Sequence, residues 1–243
     1  MHTLDMRVCT VSLFDSAWMP EGEGERFVFG RAAEGFSWER FLPRLDRIYE
    51  RLHAAFGGAP RFVLEKGIPS GAGLGGSTAL AVCMTKLWAE RAGRTPDDAL
   101  LLSLGSDAPY MYIGGDARVT GKGERVERLP FAEREVFILL PGEGVDTAKA
   151  YAGYDRMKET GELPEREGEY HNDLFAPAAK LVPAVGEAYA LLRSLGAERG
   201  VMTGSGSAVC AFPKDAEESE RLFAATRGYA RYKVRTLPAC DGN

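Results

Sequence analysis

The stretch Lys66–Trp88, KGIPSGAGLGGSTALAVCMTKLW, limits what this chain can fold into more than any other segment. RFVLEKGIP, residues 61–69, reads as a strand that ends at Pro69, and STALAVCMTKLWAERAG reads as a helix closed by Gly93. The loop joining them is built from glycine, alanine and serine with one leucine, Leu74. Gly71, Gly73 and Gly76 satisfy G-x-G-x-x-G, the fingerprint of a dinucleotide-binding turn. That fold also needs an acidic residue about 20 positions further on, at the end of a second strand. Glu90 has that spacing but lies inside the predicted helix, and AGRTPDDALLL after it reads as another helix. A P-loop fails as well: no lysine precedes Ser77, and the Gly-Lys-Gly at 121–123 lacks the hydroxyl that should follow. Two readings stay open. The glycines serve turn geometry alone, or backbone N–H groups converge on a phosphate at the positive end of a helix, with Ser77 and Thr78 adding hydroxyls.

Around this loop the chain alternates strands and helices without a regular βα order, which predicts an α+β fold. Residues 6–14 alternate with period two and read as a strand, paired in a hairpin with 26–30. Ser37 is a candidate N-cap for a helix whose apolar positions are Phe41, Leu45, Ile48, Leu52 and Phe56, stopped by Gly57. A short helix is expected over 97–104, and strands over 117–120, 124–130 and 135–141. Pro141-Gly142 and the glycine after them mark a boundary, giving domains over 1–143 and 144–243. The second holds a helix from Thr147, two helical segments meeting at Pro183, the strand-loop-strand GVMTGSGSAVCAF, a helix from Asp215 and a last strand YKVRTL.

Composition excludes several classes. With 45% hydrophobic and 27% charged residues and no long apolar run, the chain is not expected to enter a membrane. Its first residues lack the basic and apolar regions of a secretory signal, which points to the cytoplasm. A net charge of −5 disfavours nucleic acid as partner. Cys9, Cys83, Cys210 and Cys240 include no C-x-x-C pair and read as structural thiols rather than a zinc site or disulfide framework.

IPSGAGLGGST resembles the phosphate-binding motif of the superfamily of galactokinase, homoserine kinase, mevalonate kinase and phosphomevalonate kinase, the GHMP kinases. LGSDAPYMYIGGDARVTGKGERVERL is similar to the segment that carries the catalytic aspartate in the branch acting on 4-diphosphocytidyl-2-C-methyl-D-erythritol. HTLDMRVCTVSLFD, PGEGVDTAKAY, HNDLFAPA and VMTGSGSAVCAF also resemble segments of that branch, so the likeness spans nearly the whole chain.

The resemblance implies a two-domain GHMP-kinase fold and a cytoplasmic kinase of the non-mevalonate isoprenoid route, with ATP and Mg²⁺ as cofactors. It places Pro69, Ser70, Gly71, Ala72, Gly73, Leu74, Gly75, Gly76, Ser77 and Thr78 around the ATP phosphates, and makes Asp107 the base that takes the proton of the attacking hydroxyl. By itself Asp107 also reads as a turn carboxylate before Pro109. His2, Thr147, Tyr151, Gly204, Ser205 and Gly206 would meet a cytidine-diphospho alcohol, although Tyr151 alone suits core packing and TGSGS a hairpin turn. Asn172 and Asp173 read mainly as helix caps. The metal ligands are left unassigned. Two departures stand out. The family's opening lysine-asparagine strand has no counterpart before Met1-His2, which is expected to leave a sheet edge exposed and to favour a homodimer over a monomer or to lower solubility. The loop also lacks the aspartate of the family's GLGGGSSDAA, resembling instead the GLGSSAA of homoserine and mevalonate kinases. These departures keep two alternatives in play: a degenerate nucleotide-binding homologue, and a GHMP kinase for another alcohol.

Overall fold

The computed structural model describes residues 3–165 and 170–240, and the chain divides into two compact units. The first comprises Met1–Ser70, Gly75–Glu133 and Thr236–Asn243; the second comprises Gly71–Leu74 and Arg134–Arg235.

In the first unit the chain runs β1 (Leu4–Val11), β2 (Ser16–Trp18), β3 (Phe27–Phe29), α1 (Trp38–Phe56), β4 (Phe62–Glu65), α2 (Gly76–Ala92), α3 (Asp98–Leu104), α4 (Ala108–Ile113), β5 (Asp116–Gly121) and β6 (Arg125–Arg128). β1 lies antiparallel to β5, from Leu4 opposite Gly121 to Cys9 opposite Asp116, and β6 continues the ladder on β5. Thr10 and Val11 pair with Leu237 and Thr236. A separate small sheet has the order β2-β4-β3.

The expected hairpin between 6–14 and 26–30 does not form. β3 instead runs parallel to β4, with Phe27 opposite Phe62. Parallel neighbours need a crossover, and the 19-residue α1 supplies it. Period two identifies a strand but carries no information about its partner.

α1 begins where a side chain can satisfy its first amides: Ser37 Oγ accepts from Arg40 N at 3.3 Å. Leu45, Ile48, Tyr49 and Leu52 are buried along one face, and Gly57 closes the helix by donating its N–H to His53 O at 2.8 Å. α2 has no such polar face over most of its length. Leu80, Ala81, Val82, Met84, Thr85, Trp88 and Ala89 are all buried, so it is the central helix of this unit. Trp88 anchors it, with ring centroids 4.7 Å from Tyr49 and 5.8 Å from Phe62, and its Nε1 donates to Gly57 O at 2.8 Å.

In the second unit follow β7 (Glu135–Leu140), α5 (Thr147–Thr160), α6 (Phe175–Leu181), α7 (Pro183–Ser194), β8 (Gly200–Met202), β9 (Val209–Ala211), α8 (Ala216–Ala225) and, up to Arg235, β10 (Ala230–Leu237). Residues 230–235 of β10 pair with β7, β7 with β9 and β9 with β8, all antiparallel. Pro183 starts α7, where its missing N–H costs nothing. Phe137, Leu139, Leu192, Met202 and Val209 form the centre of a second core. Among the described residues no helix is long and apolar enough to cross a membrane.

Because Trp88 is 1% exposed and joins packing to a hydrogen bond, Trp88→Ala is expected to cost about 3–5 kcal/mol of stability. Denaturant titration checks this; a loss under about 1 kcal/mol would show that the site collapses around the missing ring.

Candidate functional site

In the first unit the start of α2 leaves its first backbone donors open. Its N-cap is Gly75, in the left-handed region at φ 68°, and no side chain caps the helix. The N–H groups of Gly75, Gly76 and Ser77 have no protein acceptor among the described residues. Open donors at the positive end of a 17-residue helix are the elements of a phosphate site. The positive φ is what favours glycine at position 75; a Cβ there would stand 2.5 Å from Met111 Cε, the flexible end of that side chain, and 4.0 Å from Asp107 Oδ2.

That second distance puts the Asp107 carboxylate beside the helix start. Asp107 is the residue before α4, yet its side chain makes no capping bond. The turn-carboxylate reading therefore has no hydrogen bond to support it. No ion pair or side-chain hydrogen bond reaches this carboxylate among the described residues. Burial, with no nearby charge acting against it, pushes the Asp107 carboxyl above its ordinary range.

Its position is fixed from several sides. Arg44 donates to Leu104 O at 3.4 Å and Arg51 to Ser103 O, so two cations of α1 meet the carbonyl end of α3. A Cβ on Gly105 would come within 2.9 Å of Thr78 Oγ1. Gly123, from the Gly-Lys-Gly stretch, packs so tightly on Ser106 that a Cβ would fall 2.0 Å from its carbonyl oxygen. After Asp107, Tyr110 donates its O–H to Gly115 O at 2.9 Å, while Thr10 Oγ1 accepts from Gly115 N at 3.0 Å and lies 3.1 Å from the Tyr110 oxygen.

A buried ion pair that sequence reasoning missed lies beneath the loop. Lys66 Nζ donates to both Asp15 oxygens at 2.8 Å and to Ile68 O at 2.7 Å. Asp15 Oδ1 also accepts from Gly67 N at 3.0 Å and Ile68 N at 2.9 Å. Burial lowers the Lys66 pKa, against the pull of Asp15. With all three N–H directions used, Lys66 has none left for a phosphate. The available sequence signal was a lysine directly after a strand and two residues before the apolar Ile68-Pro69.

The second unit contains the other part of the loop. Gly71 and Gly73 both have φ 69°. The carbonyls of Gly71 and Ala72 accept from Ser207 N at 3.2 Å and Ala208 N at 3.1 Å, and Gly73 O accepts from Thr203 Oγ1 at 3.2 Å. The N–H groups of Gly71, Ala72, Gly73 and Leu74 have no acceptor among the described residues. Gly73 and Gly204 meet backbone to backbone: a Cβ on Gly204 would lie 2.6 Å from Gly73 O. Thr147 Oγ1 lies 2.7 Å from Ser205 Oγ, which brings two of the expected substrate residues together.

Asn172 departs from expectation. Its Oδ1 accepts from Leu174 N at 2.9 Å, but α6 has Leu174 as N-cap without a side-chain cap bond. The Asn172 amide instead donates to Met202 O at 2.7 Å and Gly204 O at 2.8 Å, so its larger task is to hold the late glycine loop. Tyr151 packs against the second core. Pro69 is buried and Ser70 exposed at the loop entrance. His2 lies outside the described residues.

Among the described residues no group of three or more His, Cys, Asp or Glu side chains could hold a metal ion. A magnesium ion fits this setting when it arrives with a polyphosphate, since it keeps water and phosphate oxygens as most of its ligands.

The raised Asp107 pKa has a consequence for stability. The folded protein holds this proton more tightly than the unfolded chain, whose carboxyl titrates near about 3.9, so stability falls as pH rises through that window. Asp107→Asn removes the loss. It is expected to melt above the wild type at neutral pH and to lose that advantage at pH values below the window; a melting temperature at neutral pH below that of the wild type would contradict this.

The comparisons with known proteins identify a family. Residues 44–117 match the family described as GHMP kinases N terminal domain, and 156–229 that described as GHMP kinases C terminal. A 4-diphosphocytidyl-2-C-methyl-D-erythritol kinase of Thermus thermophilus is 33% identical over 196 residues, covering 76% of this chain and 71% of the relative. Its counterpart in Paracoccus denitrificans is 30% identical over 240 residues, covering 93% and 84%. A crystal structure of a 4-(cytidine 5'-diphospho)-2C-methyl-D-erythritol kinase has a TM-score of 0.73 at 25% identity, over 97% of this chain and 90% of that one. L. major mevalonate kinase in complex with R-mevalonate has a TM-score of 0.70 at 14% identity, covering 98% and 90%, a likeness of fold alone. The chain belongs to the GHMP kinases and is an ATP-dependent phosphotransferase with an alcohol as acceptor.

Proposed function

We propose that this kinase phosphorylates a hydroxyl of 4-diphosphocytidyl-2-C-methyl-D-erythritol, as the names of its relatives suggest. The observation that carries the chemistry is a desolvated carboxylate without a partner among the described residues, Asp107, beside the open amides that begin α2. In this reading the amides of Gly71 to Ser77 bind the ATP phosphates, with Pro69 and Ser70 at the entrance and Thr78 in the first turn of α2. The acceptor hydroxyl gives its proton to an Asp107 oxygen as its own oxygen bonds to the γ-phosphorus, the bond from that phosphorus to the bridging oxygen breaks, and ADP leaves. Mg²⁺ neutralises phosphate charge when bound, and the Ser77 hydroxyl is the protein group assigned to it. Thr147, Tyr151, Gly204, Ser205 and Gly206 are assigned to the acceptor, Tyr151 to its cytosine ring.

A second reading, a nucleotide-binding homologue without turnover, draws on one observation. No cation acts on Asp107 among the described residues, and Lys66 is fully engaged elsewhere.

ADP release from Mg-ATP, with and without 4-diphosphocytidyl-2-C-methyl-D-erythritol, separates the two. Acceptor-dependent ADP is expected, with an acid limb of the rate profile above the ordinary carboxylate range because Asp107 has to be ionised. Asp107→Asn should lower kcat by about 10²–10⁴-fold while leaving nucleotide affinity within about twofold. Nucleotide binding without any ADP would select the second reading, and an unaltered kcat in Asp107→Asn would remove Asp107 from its role.

A further inference from the structure

We infer that Asp15 and Lys66 are a positioning pair that clamps both ends of the phosphate loop, an inference that rests on reading that loop as the ATP cradle. The entrance is held first. Asp15 Oδ1 gathers the N–H groups of Gly67 and Ile68 together with Lys66 Nζ, and the same Nζ donates to Ile68 O. The three peptide groups from Lys66–Gly67 to Ile68–Pro69 are thereby each held at one atom by one carboxylate or one ammonium. The exit is held by contact. A Cβ on Gly76, the first residue of α2, would lie 2.7 Å from Lys66 Nζ and 3.0 Å from Ile68 Cγ2. The ammonium therefore sits directly under the point where the loop becomes helix. Gly67 allows the approach on the other side, because a Cβ there would fall 2.2 Å from Phe14 O.

The expense of the pair argues for this role. Lys66 is 2% and Asp15 5% exposed. A pair that dry gains little net stability, because the cost of removing two charges from water offsets most of their attraction, and apolar replacements of similar volume often stabilise as well or better. What an apolar pair cannot do is gather two backbone N–H groups and a carbonyl at fixed distances. The loop's amides are useful to a polyphosphate only if they already point at it, and Asp15 and Lys66 join the segments before and after them.

The test is Mg-ADP titration of the full chain by calorimetry, alongside thermal melting, for the wild type and for Asp15→Leu combined with Lys66→Met. The expected result is a double variant that still unfolds cooperatively, at a lower temperature than the wild type because the Gly67 and Ile68 amides lose their acceptor, yet binds Mg-ADP at least tenfold more weakly where both proteins are folded. A folded double variant with wild-type affinity would overturn the positioning role while leaving the cradle in place. A wild type that does not bind Mg-ADP would overturn the cradle reading and this inference with it. A second measurement needs no variant: hydrogen exchange at the Gly67 and Ile68 amides of the wild type. Slow exchange already present without nucleotide is expected; fast exchange that slows only when Mg-ADP is added would mean that the ligand, not the pair, sets the turn.

Discussion

A loop of backbone can hold a polyphosphate only if its carbonyls are occupied elsewhere and its amides are not. Among the described residues, the segment from Gly71 to Ser77 has its amides open and its carbonyls occupied at Gly71, Ala72, Gly73 and Gly75. Gly71, Gly73 and Gly75 adopt φ of 69°, 69° and 68° at alternate positions, a conformation that side-chain-bearing residues rarely tolerate. The carbonyls of Gly71, Ala72 and Gly73 are taken by Ser207, Ala208 and Thr203, and that of Gly75 by Thr78 and Ala79. The amides are left over. A row of open donors is unfavourable for folding by itself, so the surrounding structure has to hold it. In the first unit this falls to the Trp88 core along α2 and to Asp15–Lys66 beneath its start.

Asp107 follows the same logic with the opposite sign of charge. Every neighbour that fixes it does so through its backbone or through adjacent residues: Arg44 and Arg51 through α3 carbonyls, Gly123 through Ser106, Tyr110 through α4. None of them offers the carboxylate a donor or a charge. A carboxylate held this way is rigid in position and poor in solvation, which raises its basicity without neutralising it. Bringing Lys66 to it instead would have depressed that basicity, and the chain spends its buried lysine on the loop.

How much of this was legible in the sequence depends on how local each signal is. The starts of α1 and α3 were readable because Ser37 and Asp97 cap amides three residues away, and the ends of α1 and α2 because Gly57 and Gly93 close them. The turn of helix after Asp107 was missed. Asp-Ala-Pro looks like a turn, yet proline is at home in the first turn of a helix, and α4 has Pro109 there. The partners of β1 and β3 were not readable, because alternation reports a buried face and not the strand across from it. Asp15 and Lys66 are separated by 51 positions and share no motif. Asn172 beside Asp173 resembled a cap, and only the fold reveals that its amide faces Met202 and Gly204.

The two glycine motifs, read from the sequence as separate features, are one structural element within the second unit. Gly204 excludes a side chain because the Gly73 backbone occupies its place, and Gly73 because the backbones of Thr203 and Gly206 do. Thr203 binds the Gly73 carbonyl, and Asn172 holds Gly204 from behind. A hairpin turn between β8 and β9 would need glycine for its own dihedral angles alone. Here Gly204 is also required by a segment some 130 positions earlier, the separation of the Thr203–Gly73 bond. The late loop is thus the template that consumes the early loop's carbonyls, and the open amides of Gly71 to Leu74 are a product of that pairing as much as of their own sequence.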